Sequence, residues 1–134
     1  MQIAVFWDDP QQTIIRSESS GQWTWDEYHA AVEQVVALAN STNQRVDLII
    51  NSLPGAAAPS GSSIPHYQRA QRIMPDNVRL NIIVNTNTFG RMIINTFTRL
   101  NAGKGGLKVV AAGSLEEAHA VIARDRAAGR ARTA

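Results

Sequence analysis

The chain has no cysteine, which excludes disulfides, thiol nucleophiles and cysteine-ligated zinc. It has no apolar run near the ~18 residues that a membrane-spanning helix needs. Its opening, Met1 to Val5, meets Asp8 and Asp9 with no basic segment before it, unlike a secretory signal. These absences point to a cytoplasmic chain without an integral membrane segment. Charged residues make up only 18% and aromatics 6%, but a hydrophobic share of 44% over 134 residues suffices for one packed domain and excludes a disordered chain. Catalytic signatures are missing too. There is no Gly-x-Ser-x-Gly elbow. His29, His66 and His119 are far apart in sequence, and none has the i, i+4 spacing of a metal-binding helix. Gly103-Lys104-Gly105-Gly106 leads into a strand rather than out of one, unlike a phosphate-binding loop. The adjacent pairs Asp8-Asp9 and Glu116-Glu117 suit a turn and a helix start better than acid–base chemistry. The expectation is a protein that is not an enzyme and holds no cofactor or metal. Nucleic-acid binding is not expected either, because no reading motif or aromatic interleaving accompanies the basic residues.

What is present is unevenly charged. Residues 1–63 carry seven acids and two bases, while residues 64–134 carry four acids and eleven bases. That asymmetry fits an anionic partner or a self-complementary surface that pairs two copies as a homodimer. It fits better with halves that interleave in the fold and neutralise each other, because much of the basic excess sits in the tail Arg124, Arg126, Arg130 and Arg132.

The hydrophobic pattern predicts the order ββαβαβαβα. Ile3 to Trp7 and Thr13 to Glu18 form a hairpin around the Asp8-Asp9-Pro10-Gln11 turn. Thr24 and Glu27 stand at capping-box spacing ahead of a helix with Tyr28, Val32, Val35 and Ala39 on one face. Trp23 and Trp25 are expected to anchor that helix against the sheet. Val46 to Asn51 is the central strand. It empties into a Gly/Pro/Ala/Ser loop over 53–63, with Ser62 or Ser63 capping a second helix whose first turn holds Pro65. Tyr67, Ala70, Ile73 and Met74 form the inward stripe of that helix, and His66, Arg69 and Arg72 the outward one. Val78 to Asn85 is a strand, and Thr86 to Thr88 open a helix bearing Phe89, Met92, Ile93, Phe97 and Leu100. Leu107 to Ala111 is the last strand, followed by a helix that Ser114 and Glu117 open. Helical crossovers make the sheet mixed but mostly parallel, with five strands and about four helices. The domain is expected over 1–127, with a basic tail over 128–134 that frays.

This order resembles the STAS domains of anti-sigma factor antagonists, especially the SpoIIAA-like branch. The segments that carry the resemblance are Gly21-Gln22-Trp23-Thr24-Trp25-Asp26-Glu27-Tyr28, Arg45-Val46-Asp47-Leu48-Ile49-Ile50, Asn87-Thr88-Phe89-Gly90-Arg91 and Ser114-Leu115-Glu116-Glu117-Ala118. The resemblance implies a non-catalytic signalling module whose loop after the third strand carries a phosphorylatable serine and docks an anti-sigma factor, a kinase-like regulator. Here that place holds Ser60, Gly61, Ser62 and Ser63, without the aspartate that precedes the family's serines and in a longer loop. A phosphate there would meet the amides of a helix start, with Arg69 and Arg72 on the same helix. The alternative expectation is a small apolar ligand or lipid carrier of STAS or CRAL-TRIO-like type, its cavity bounded by Phe89, Met92, Ile93 and Phe97.

Overall fold

A computed structural model describes residues 2–84 and 108–133, with side chains through Gly129. The predicted helix carrying Phe89, Met92, Ile93 and Phe97 lies outside the described residues. Five strands form one sheet in the order β1-β2-β3-β4-β5: β1 (Ile3–Trp7), β2 (Ile14–Ser19), β3 (Val46–Ser52), β4 (Val78–Val84) and β5 (Lys108–Ala112). β1 runs antiparallel to β2, and β2 through β5 are parallel. Three helices are described: α1 (Trp25–Asn40), α2 (Ile64–Ile73) and α3 (Leu115–Thr133). The chain is therefore an α/β domain with a mixed, mostly parallel five-stranded sheet, as the hydrophobic pattern predicts.

Alternation along the strands sends neighbouring residues to opposite faces. Ile14 joins Ile49, Leu80, Ile82, Val84 and Ala112 under Ala118 and Ile122 of α3. Ile15 faces the other way, with Val46, Leu48 and Val78, and meets Val35 and Ala39 of α1. Met74, just after α2, packs on that second cluster. The result is three layers, with α1 and α2 on one side of the sheet and α3 on the other.

Local signals explain most element boundaries. The Thr24 hydroxyl accepts from the Glu27 amide at 3.1 Å, and the Glu27 carboxylate accepts from the Thr24 amide at 3.2 Å, so the predicted capping box is formed. Asp9 closes the hairpin turn by accepting from the amides of Thr13 and Ile14, both at 2.9 Å. The Glu117 amide donates to Ser114 Oγ at 3.1 Å, which opens α3. That helix continues through Thr133, over the stretch for which composition predicts a frayed tail.

Two expectations about α2 are corrected. Ser63 occupies the N-cap position, but it has φ −88° and ψ −20° and its side chain makes no cap hydrogen bond. A capping side chain reaches back from an extended backbone, and this helical conformation points it elsewhere. Ile73, predicted on the inward stripe, is 43% exposed. At about 100° per residue it lies roughly a quarter turn from the midline set by Tyr67 and Ala70, the two buried positions of α2.

The uneven charges interleave in space. Asp47 is fully buried at the start of β3, where its carboxylate accepts from Arg45 at 3.1 Å, Arg126 at 2.8 Å and the Leu80 amide at 3.1 Å. Arg126 also donates to the Thr13 carbonyl at 2.9 Å. Asp125 completes the set with Arg45 at 2.7 Å and Lys108 at 3.2 Å. The Arg45 bond comes first among the causes that hold the Asp125 carboxyl below its ordinary value, outweighing burial, which pushes it up. Acids and bases distant in sequence thus tie α3 to the amino ends of β2 to β5.

Candidate docking site

The carboxyl ends of the parallel strands carry the 53–63 loop. Its first half is fixed by backbone bonds. The Leu53 amide donates to the Ser19 carbonyl at 2.9 Å, the Ala57 amide to Gly21 at 2.8 Å, and the Trp23 amide to Ala57 at 3.3 Å. Gln22 and Ala57 form an isolated parallel bridge. The loop is thereby stitched to the chain that enters α1. Gly55 and Gly61 have φ +86° and +99°, a region that L side chains rarely adopt, so each supplies a bend that another residue would strain.

Of the serine-containing residues expected to dock a partner, Ser60, Gly61 and Ser62 are exposed and Ser63 is half-buried. Burial pushes the Tyr67 phenol up. Arg69 and Arg72 are exposed on α2. Arg72 sits in the last turn, at the opposite end of the helix from Ser62. Phe89, Met92, Ile93 and Phe97, expected to bound an apolar cavity, lie outside the described residues. Two further side chains belong to this surface and have no place in the serine signature: Leu53 is 38% exposed and Ile64 is 47% exposed, one at each end of the loop. Ile64 was legible in principle, because it too lies roughly a quarter turn off the Tyr67–Ala70 midline, on the side opposite Ile73. Apolar side chains held in water beside a braced loop favour contact with another surface.

Behind the loop, the start of α1 and the first turns of α2 meet in an aromatic seam. Trp25 contacts Trp23, Tyr28 and Tyr67 edge-on, with centroids 5.3 to 5.8 Å apart, and the His66 ring lies flat on it at 4.0 Å. The two tryptophans, expected to anchor α1, pack with one another and with Tyr28 of α1, and Trp25 spans to α2. The three histidines, far apart in sequence, are half-buried and partnered. His29 Nε2 is 2.8 Å from His66 Nδ1, and His119 Nε2 is 2.5 Å from Asp8. Only the packing of α1 beside α2 brings His29 and His66 together, so their separation of 37 residues hid the pair.

No group of three or more histidine, aspartate or glutamate side chains suited to a metal ion occurs among the described residues, and no helix among them is long and apolar enough to cross a membrane. A concavity of about 380 Å³ lies at the opposite, amino edge, lined by Asn43, Arg45, Asp76, Asn77 and Arg79. The fold and this geometry define the chain as an α/β domain with a braced, exposed loop at the carboxyl edge of its sheet. No protein-family model matches the chain, and no curated protein matches it.

Proposed function

We propose that this chain is a non-catalytic, STAS-like interaction module that docks a protein partner through the 53–63 loop and the start of α2. In open α/β sheets, the carboxyl ends of the strands are where ligands and partners most often bind. The observation that carries the reading is a loop whose first half is pinned by backbone bonds while Leu53, Ser60, Ser62 and Ile64 are exposed. Pinning lowers the ordering cost of binding, and the apolar side chains gain by leaving water. On the likeness to anti-sigma factor antagonists, the partner is a kinase-like regulator and Ser62 or Ser63 is the residue it modifies. A phosphate there adds about −1.5 to −2 charges at pH 7, enough to repel an acidic partner surface or recruit an arginine.

The test immobilises wild-type protein, the Ser62→Asp and Ser63→Asp variants and an Asp76→Asn control at the amino edge, and passes host-cell extract over each. The expected result is a protein held by wild type and by the control, and lost from the aspartate variants. Equal capture by all four would remove the loop from the contact.

A further inference from the structure

The seam between α1 and α2 has a property beyond packing. A nitrogen-to-nitrogen distance of 2.8 Å between His29 and His66 is a hydrogen bond, so one ring donates and the other accepts. An imidazole accepts only while that nitrogen carries no proton. The bond therefore survives with neither ring or one ring charged and fails when both are charged, because two N–H groups then face each other. The remaining charged and titratable groups around the pair come from both helices. Arg69 of α2 adds to the repulsion, Asp26 and Glu33 of α1 oppose it, and Tyr28 and Tyr67 hold phenols that burial pushes up and keeps neutral. His66 is further committed by its stacking on Trp25 at 7° between ring planes. α2 is only ten residues long, with Tyr67 and Ala70 as its buried positions, so the ring contacts of the seam are a large part of what holds it to α1.

We propose that His29 and His66 form an acid-sensitive latch: double protonation separates the two rings and loosens α2, with the loop that leads into it, from α1. The latch stands on the seam alone and does not require that the loop dock a partner. Burial, then Arg69 and His66, push the His29 pKa below its ordinary value. A histidine whose folded pKa is lowered contributes stability that is complete above the ordinary imidazole value and is lost as pH falls through the lowered one.

Hydrogen exchange of the α2 amides, corrected for the intrinsic pH dependence, reads the latch directly. Between about pH 8 and about pH 5, protection over residues 67–73 is expected to fall about tenfold in the wild type, with β3 and β4 unchanged. Trp25 fluorescence should fall over the same range as the stacked ring becomes an imidazolium. His29→Gln keeps a hydrogen-bonding side chain but takes up no proton, so its α2 protection is expected to stay flat with pH. His66→Gln makes the same test should the first variant lose its circular dichroism signature. His119→Gln, which alters a histidine partnered by Asp8 instead, should respond as wild type does. A wild-type protection that is flat with pH, or a fall of equal size in the glutamine variants at 29 and 66, would overturn the latch.

Discussion

At the amino edge of the parallel strands, Asp47 is wholly buried and meets two guanidinium groups and a backbone amide within 3.1 Å. At the carboxyl edge, Ser60 and Ser62 stand in water on a loop whose first half is tied down by backbone bonds. Both edges are polar, and both join strands to helices. They differ in where the polar groups find their partners. The amino edge takes its partners from α3 and β4, so its charge is spent inside the fold and holds the layers in register. The carboxyl edge is mounted firmly but leaves its hydroxyls and two apolar side chains outward. A rigid mount with an uncommitted face is what a docking surface needs, whereas a buried and fully bonded charge is what a structural joint needs.

The largest effect should follow from breaking the joint. Asp47→Ala removes the carboxylate between Arg45 and Arg126 and leaves the Leu80 amide without its acceptor. A loss of about 3 kcal/mol in unfolding free energy is expected, read from the urea midpoint. Asp9→Ala should cost less, about 1 kcal/mol, because it deletes bonds in one hairpin turn rather than a joint between layers. Burial pushes the Asp9 carboxyl up, but the Thr13 hydroxyl and the Ile14 and Thr13 amides together outweigh it and hold it below its ordinary value. Its contribution is therefore present above the ordinary carboxylate pKa and lost as pH falls through the lowered one. Stability curves of wild type and Asp9→Ala should thus converge toward strongly acid pH; parallel curves would sink this assignment. The smallest effect belongs to the carboxyl edge. Replacing Ser60 and Ser62 together with alanine should change stability by less than about 0.5 kcal/mol. A loss as large as that of Asp47→Ala would show that the loop is a structural joint after all and erase the contrast between the edges.

The parts of this fold that were legible in the sequence are local. Thr24 and Glu27 are three residues apart, and Asp9 and Thr13 four, so the cap and the turn are written within one helical turn or one hairpin. The strands announced themselves by apolar β-branched runs, and their mostly parallel direction followed from helical crossovers. What stayed hidden depends on packing across layers. Arg126 reaches Asp47 over 79 residues, and nothing near either residue marks the other as its partner. The same holds for His29 and His66, which meet only because α2 lies beside α1. The exposure of Ile64 and Ile73 depends on how far round α2 the neighbouring helix reaches, which periodicity within α2 bounds but does not decide. Of the candidate site, the serine loop and its position after the central strand were readable, while its bracing by Ser19, Gly21 and Trp23 was not.

The absence of native cysteine allows the central claim to be tested at single positions. Ser62→Cys at the carboxyl edge and Asn43→Cys at the amino edge, each carrying the same thiol-attached photocrosslinker, would be illuminated in host-cell extract. The account predicts a discrete adduct with one protein from position 62, suppressed by excess unlabelled wild type, and none from position 43. The same adduct from both positions, or none from position 62, would contradict it.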